Sequence, residues 1–333
     1  MKLLGRCILA LALALAVPAA ASAGEANIQF GSGPPGGSWI VGVGAGTQVL
    51  NESLKGLARF QMVSTNGAVE NMRRVALGEL DYGWTHVSTL FNAWHASGKD
   101  FEGRPPMRNF RVIAKVDEQT QIFVVLKESA IQSMNEVAGK KVALGPVGSG
   151  SETNSRNVLA AVGLLDKVQV FNMGFAAGGN ALGNRQVDMY SSAGVGNTMP
   201  IIVEISQRRP VRYIGLTDAE YEKVIGKYPY YARHTIPASI PGVQGHDREV
   251  HTIKYAVYWI AKPDVPDDVI EKTLATVTDP GNRERLAKAQ ASWRGVDGDF
   301  SGISKLGFPV HPAAVRFWRQ KGFEVPDTLI PKG

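Results

Sequence analysis

This chain of 333 residues is built from units that each consist of a short apolar segment, a loop of small residues and a helical pattern. The units form two similar series, one after the other. The predicted strands of the first series are residues 27–31, 60–64, 82–85 and 110–116. Those of the second series are residues 121–127, 141–145, 168–172, 187–191 and 211–217. Strands that alternate with helices are typical of α/β domains with parallel sheets and crossover helices. The repeat therefore predicts two α/β lobes with a cleft between them.

The last part of the chain is expected to return to the first lobe. Residues 251–261 alternate between two sets of side chains and predict one long strand. Helical patterns then begin at Pro266 and near Pro280. These elements predict a first lobe of residues 24–120 plus 255–333 and a second lobe of residues 121–254. We expect the lobes to rotate about the connections near Gln119 and Lys254.

Residues 1–23 have the plan of a cleavable secretory signal peptide. Lys2 and Arg6 come before an apolar run over residues 8–17. Ala21 and Ala23 are the small residues at positions −3 and −1 relative to the expected cleavage point. The run is shorter than the roughly 20 residues that span a bilayer. We therefore expect a periplasmic protein that does not itself span the membrane.

Cleavage would remove the single cysteine, Cys7, and would lower the formal net charge from +6 to +4. A chain without cysteine has neither a disulfide framework nor a cysteine-based zinc site. The remaining basic residues are scattered, as in the pairs Arg73-Arg74 and Lys140-Lys141, and no aromatic residues are interleaved with them. This distribution excludes nucleic acid from the expected partners.

Four loops rich in glycine, serine, threonine and asparagine each follow a predicted strand. Their candidate ligand-binding residues are Gly37, Ser38 and Trp39; Thr65, Asn66 and Gly67; Ser149, Gly150 and Ser151; and Ser191 and Ser192. In open α/β sheets ligands bind beyond the carboxyl ends of the strands, where free N–H groups and helix dipoles attract an anion. One such loop alone is also typical of an ordinary turn with a helix cap. Their recurrence in both lobes favours convergence on one ligand, and His86, at the end of a strand, is expected beside them.

Motifs for cofactors, metals and catalysis are incomplete. Residues 31–36 match the pattern G-x-G-x-x-G but contain two prolines, which suit the tight dinucleotide turn poorly. Residues 145–151 resemble a phosphate loop without its lysine, and neither G-x-S-x-G nor H-E-x-x-H occurs in the sequence. The sequence therefore predicts no cofactor, no metal and no enzymatic activity.

The loops and the segments around them resemble the TAXI-type substrate-binding proteins of TRAP transporters. The matching segments lie at residues 36–39, 64–71, 77–81, 137–142, 148–151, 186–188 and 309–314, and Phe317-Trp318 follows them. The segment Ser-Thr-Asn-Gly-Ala-Val-Glu-Asn at residues 64–71 is the most specific. The Pro-Pro-Gly-Gly turn is also similar to the binding proteins of tripartite tricarboxylate transporters. The likeness runs in order through nearly all of residues 24–333.

The resemblance implies a two-lobed periplasmic-binding-protein fold of type II, with the ligand cleft between the lobes. It also implies capture of a small organic acid, a dicarboxylate such as glutamate or 2-oxoglutarate, and its delivery to TRAP-type membrane permease subunits. Ser38 and Trp39 stand where the family usually has Thr and Tyr, and His86 and Ser88 stand where it usually has Gln and Asp. A histidine in the cleft is expected to donate to a carboxylate or to make binding sensitive to pH.

Two other functions are compatible with the same loops. One is a periplasmic adaptor that senses a ligand for a membrane receptor kinase. The other is a periplasmic hydrolase in which Ser149 or Ser151 is the nucleophile and His86 the base. The hydrolase requires a serine hydroxyl within hydrogen-bond reach of the imidazole.

Overall fold

The computed structural model describes residues 24–331, so the predicted signal peptide lies outside the described residues. The strands in this range are β1 (Ala26–Gly31), β2 (Ala58–Val63), β3 (Tyr82–His86), β4 (Arg111–Leu126), β5 (Lys141–Leu144), β6 (Gln169–Asn172), β7 (Met189–Gly194), β8 (Val211–Tyr213), β9 (Ala232–Ile236) and β10 (Val250–Ala261). The helices are α1 (Ser38–Ser53), α2 (Ala68–Ala76), α3 (Val87–His95), α4 (Gly98–Phe101), α5 (Gly150–Ala161), α6 (Phe175–Gly183), α7 (Pro200–Arg208), α8 (Asp218–Lys227), α9 (Asp267–Thr278), α10 (Pro280–Ala289), α11 (Ser301–Ser304) and α12 (Pro312–Gln320). None of the helices within residues 24–331 combines the length and the apolar character needed to cross a membrane.

The strands form one mixed sheet in the order β2-β1-β3-β10-β4-β7-β5-β6, with β8 beside β4 and β9 beside β10. The predicted parallel pairing is confirmed at the two ends, where β1 pairs with β2 and β3 and β5 pairs with β6 and β7. It is wrong at the centre, where β10 is antiparallel to β3 and β4 and β4 is antiparallel to β7. The reason is that β10 returns in the direction opposite to β3 and β4, and that β4 continues from the first half of the sheet into the second, where its direction is opposite to that of β7.

The two strands predicted at residues 110–116 and 121–127 are a single strand, β4, of 16 residues. The polar residues between them suggested a break. They stay extended because β10 pairs with them across this stretch, with Gln119 opposite Tyr255. The lobe boundaries remain a prediction, and they fall where β4 and β10 face each other.

A single 3-10 turn, Met134–Val137, lies between β4 and β5. Ser133 and Glu136 close its first turn as a reciprocal cap. Gly139 follows with a φ of +78°, a conformation that stops the turn from lengthening into an α-helix.

Two apolar cores flank the sheet, and β4 contributes to both of them. Phe123 and Val125 pack into the larger core, whereas Ile122 and Val124 pack into the smaller one, as the alternating faces of a strand require. In the larger core the Phe30 ring stacks on the indole of Trp259 in β10, with the ring centroids 4.9 Å apart. Val112 and Val116 of β4 also belong to the larger core, so this strand runs through the interior of both halves of the molecule.

Candidate ligand-binding cleft

A cavity of about 40 Å³ lies between the two halves, beyond the carboxyl ends of β1, β3 and β5. One wall is formed by Gly33, Pro34, Gly37, Ser38, Trp39, Asn66, Gly67, Ala68 and His86. The opposite wall is formed by Ser149, Gly150, Ser151, Phe175, Ala193 and Met199, and Gln119 of β4 completes the lining. The volume holds roughly three water molecules. The two walls are thus closed on each other.

Six of the described helices begin at this cavity. Each contributes its N-cap or a first-turn residue to the lining: Gly37, Ser38 and Trp39 from α1, Gly67 and Ala68 from α2, His86 from α3, Ser149, Gly150 and Ser151 from α5, Phe175 from α6, and Met199 from α7. A helix N-terminus has N–H groups without partners inside the helix and carries a partial positive charge. The cavity is therefore the point where six such termini converge.

Five of these six helices have no side-chain cap at their N-terminus. The exception is α5, where Ser149 Oγ accepts a hydrogen bond from Glu152 N at 3.2 Å. Of the six described helices that begin elsewhere, α8, α10 and α12 are capped by Thr217, Asp279 and His311, whereas α4, α9 and α11 have no side-chain cap. Backbone N–H groups in a closed site need hydrogen-bond acceptors. An anion in the cavity would accept the hydrogen bonds that no side-chain cap accepts at these termini.

The buried amide of Asn71 holds the loops of the first wall in place. Its Nδ2 donates to Ser32 O at 2.8 Å and to Trp84 O at 2.9 Å, which joins the ends of β1 and β3. Thr65 Oγ1 donates to Asn71 Oδ1 at 2.8 Å and accepts from Gly67 N at 3.1 Å. Thr65 therefore supports the loop and does not line the cavity in this closed form, and its contact with a ligand stays a prediction. Gly67 has a φ of +106°, which favours glycine at this position.

His86 lies at the end of β3 and contacts both halves of the molecule. Asn154 Oδ1 accepts from Tyr231 at 2.7 Å, so its Nδ2 faces His86 Nδ1 and donates to it at 3.1 Å. His86 Nε2 then carries the proton and donates to Gln119 Oε1 at 2.9 Å. Burial lowers the pKa of His86 from 6.5 to about 4, against smaller opposing effects of its hydrogen bonds. The imidazole is thus neutral at physiological pH.

Gly150 begins α5 directly against His86. A Cβ at this position would overlap the imidazole Nδ1 and would lie 2.8 Å from Ala68 Cβ on the first wall. A side chain at residue 150 would therefore keep the first turn of α5 from reaching β3 and α2. Glycine is required here because the two walls approach so closely.

The serines of β7 hold the second wall from behind. Gln121 Nε2 donates to the hydroxyls of Ser155 and Ser191, each at 2.9 Å, and these two hydroxyls lie 2.9 Å apart. Ser191 and Ser192 are fully buried and do not line the cavity in this closed form, so their contact with a ligand stays a prediction. Their neighbour Ala193 does line it, and Ala193 N donates to Ser151 Oγ at 3.3 Å.

The structure brings most of the predicted ligand-binding residues together: Gly37, Ser38, Trp39, Asn66, Gly67, His86, Ser149, Gly150 and Ser151. The sequence pattern did not indicate the remaining lining residues: Gly33, Pro34, Ala68, Gln119, Phe175, Ala193 and Met199. Met199 could have been found, because Pro200 after it is the signal of a helix start. Gln119 had no such signal, since it stands in a polar stretch in the middle of a strand.

The geometry does not form the catalytic pair that a hydrolase needs. Both ring nitrogens of His86 bind side-chain amides, and neither binds the hydroxyl of Ser149 or Ser151. Ser149 Oγ caps α5 and Ser151 Oγ accepts from a backbone N–H. Among the described residues no cluster of three or more His, Cys, Asp or Glu side chains is placed to hold a metal ion.

The fold is similar to those of solved periplasmic binding proteins. The alkanesulfonate-binding protein SsuA from Xanthomonas axonopodis pv. citri, bound to MOPS, is 14% identical with a TM-score of 0.50, over 93% of this chain and 96% of that chain. The periplasmic binding protein BugD is 14% identical with a TM-score of 0.50, over 80% and 87% of the two chains. At these identities the likeness concerns the fold. The predicted two-lobed α/β periplasmic-binding-protein fold is confirmed.

A family model described as the NMT1-like family matches residues 30–322. This range includes every residue that lines the cavity and both long strands, β4 and β10, that join the two halves. The chain belongs to the NMT1-like family.

Proposed function

We propose that this protein is an extracytoplasmic solute-binding protein that captures a small organic acid between its lobes and delivers it to a membrane transporter. The convergence of six helix N-termini, five of them uncapped, on a closed cavity carries the proposal. Both walls contribute termini, so a ligand contacts both lobes only when they are closed. Such a ligand shifts the population toward the closed form, which a transporter can recognise as loaded.

The loop resemblance described above supports more specific expectations. It favours TRAP-type permease subunits as the partner, the periplasm as the location and a dicarboxylate such as glutamate or 2-oxoglutarate as the ligand. Ser38 and Trp39 line the cavity at the positions where the resembling proteins usually have Thr and Tyr. The Trp39 ring also packs edge-on against His86 with centroids 5.1 Å apart, so it is placed to cover the carbon skeleton of a ligand.

A ligand screen by thermal unfolding tests the proposal. The panel holds mono-, di- and tricarboxylates of three to six carbons, amino acids and short alkanesulfonates, the last because a protein of similar fold is an alkanesulfonate-binding protein. A ligand that binds only the folded state raises the melting temperature as its concentration exceeds its Kd. Isothermal titration calorimetry then measures the Kd of each hit. If no organic acid of the panel binds, the proposal is wrong.

Two variants at Ser151 test whether the ligand is an anion bound at the helix termini. Ser151→Asp and Ser151→Asn introduce side chains of nearly the same size into the cavity wall, and both suit the first turn of a helix. Only Asp adds a negative charge that repels an acid. We expect Ser151→Asp to weaken acid binding at least tenfold more than Ser151→Asn. Equal affinities of the two variants would contradict binding of an anion here.

A further inference from the structure

We propose that the cleft selects an acid with a single negative charge and a short apolar body, and that it discriminates against dicarboxylates. This inference rests on the proposed function and narrows its ligand class. It departs from the dicarboxylate that the loop resemblance favours. It follows from what the walls of the cavity offer to a charge and to a carbon chain.

The walls of the cavity carry no charged side chain that could neutralise a second carboxylate. The lining residues are glycines, serines, amides, apolar residues and His86, and none of them is Asp, Glu, Lys or Arg. The uncapped helix termini on both walls supply N–H groups that suit an acidic group. A second carboxylate would lie beside the first in a cavity of about 40 Å³ without a cation between them, and the repulsion of the two like charges opposes its binding.

His86 does not become that cation. It receives a hydrogen bond from Asn154 on Nδ1 and gives one to Gln119 from Nε2, so protonation would set the N–H of Asn154 against a second N–H. His86 is 2% exposed, and Asn154 is fully buried. The lowered pKa of His86 agrees with a ring that stays neutral. The imidazole therefore acts as a spacer between the lobes and leaves the ligand without a cationic side-chain partner.

The nearest charged residues behind the second wall are bound elsewhere. Glu152 follows Ser151 in α5, and its side chain is fully buried. Both Lys99 and Arg156 form ion pairs with Oε1 of Glu152. Their side chains are thereby held at this carboxylate, and neither of them lines the cavity.

The rest of the lining suits a short carbon chain. Trp39, Phe175 and Met199 present apolar surface from three different helices, and Pro34 and Ala193 add to it. The volume of about 40 Å³ in this closed form favours a short acid over a long one. An acid of three or four carbons, a carboxylate or a sulfonate, combines a short apolar chain with a single charge.

Pairs of ligands that differ in one charge test the proposal on the unmodified protein. Butanoate, succinate and monomethyl succinate are titrated by calorimetry at pH 7.5 and constant ionic strength, with propanesulfonate as a second monoanion. We expect butanoate or propanesulfonate to bind at least a hundredfold more tightly than succinate. Monomethyl succinate, which keeps the chain of succinate and loses one charge, is expected to bind at least tenfold more tightly than succinate.

The outcomes separate this inference from the proposed function. Succinate binding as tightly as, or more tightly than, its monomethyl ester would overturn the single-charge inference and leave an acid-binding protein. A failure of all four acids, together with a failure of the wider panel, would overturn the proposed function itself. Glutamate or 2-oxoglutarate as the tightest ligand of the panel would also overturn the single-charge inference.

Discussion

Two sets of contacts join the lobes through the first turn of α5, and they differ in charge and in burial. On the inner side Asn154 binds His86, and both residues are at most 2% exposed. On the outer side Glu152 pairs with Lys99, whose side chain is 47% exposed. Thr153 Oγ1 also donates to Asp100 Oδ2 there, at 3.0 Å. Three successive residues of α5 thus contact the first lobe in two different environments.

The difference predicts which contact controls closure. A buried neutral hydrogen bond has no water to replace it, so its loss leaves unsatisfied polar groups in the interior. An ion pair with an exposed partner is screened by solvent and salt and contributes little. Glu152 also remains paired with Arg156, which lies in the same helix, when the lobes open and the ion pair with Lys99 is lost. We therefore expect the inner contact, between Asn154 and His86, to stabilise the closed form most. The outer contact, between Glu152 and Lys99, should contribute little to the stability of that form.

Replacing Gly150 with Ala gives the largest expected effect. The added Cβ overlaps His86 Nδ1, so the first turn of α5 cannot approach β3. We expect ligand affinity to fall by about a thousandfold, or roughly 4 kcal/mol, because the second wall no longer reaches the ligand. The melting temperature without ligand should change little, since the lobes can open to relieve the overlap. Calorimetry and thermal unfolding measure the two quantities.

Gly226→Ala is the matched control, because Gly226 lies in helix α8 with no atom within 4 Å of an added Cβ. This variant should bind ligand like the unmodified protein. Wild-type affinity in Gly150→Ala would show that the closed arrangement of α5 against His86 is not the one that binds ligand.

Acid should weaken the fold through the buried His86. The folded protein keeps His86 neutral down to about pH 4, whereas the unfolded chain takes up a proton near pH 6.5. The unfolded state then binds more protons between these values, so the stability that is present above pH 6.5 is lost as the pH falls toward 4. The expected loss from this residue is roughly 3 kcal/mol.

Urea unfolding at pH 7.5, 5.5 and 4.5, compared between the unmodified protein and His86→Gln, measures that loss. Burial also lowers the pKa of His246 and His311, and these residues titrate in the same direction in both proteins. The difference between the two pH profiles therefore reports His86. Parallel profiles would mean that burial does not hold the ring neutral in the folded protein.

Replacing Asn154 with Ala should cost about 2 kcal/mol of stability, because it leaves His86 Nδ1 and the Tyr231 hydroxyl with fewer partners in the interior. Denaturant unfolding measures this cost. Asn157→Ala is the control, since Asn157 Nδ2 binds the same Tyr231 hydroxyl at 2.9 Å and does not contact His86. Only Asn154→Ala should also weaken ligand binding, and equal binding by both variants would contradict the role of the inner contact.

The fold was largely predictable because it depends on local patterns that repeat. Apolar runs of strand length and glycine-rich loops before helices place nearly every strand of the two parallel ends of the sheet. The continuity of β4 was not predictable, because the polar residues around Gln119 are kept extended by partners on a strand more than 130 residues later. Pairing over such a distance has no signature in the local sequence.

The site was predictable as a set of loops, and less so as a set of side chains. Glycines and serines before helices mark α1, α2 and α5 correctly. The same residue types occur at Thr65 and Ser191, whose hydroxyls bind Asn71 and Gln121 and hold the loops in place. A hydroxyl that supports a loop and one that faces a ligand have the same sequence pattern, and only the geometry separates them.

Replacing Lys99 with Met should have the smallest effect, and its salt dependence makes the comparison sharper. Met keeps the length of the side chain and removes the charge that reaches Glu152 across the lobes. We expect ligand affinity to fall by roughly threefold at low salt, and the difference from the unmodified protein to vanish near 1 M NaCl, where screening acts within about 3 Å. Lys288→Met is the control, because Lys288 pairs with Glu284 within α10. If Lys99→Met weakened binding as much as Asn154→Ala, and did so at every salt concentration, the outer ion pair would hold the lobes closed and the order of the two contacts would be reversed.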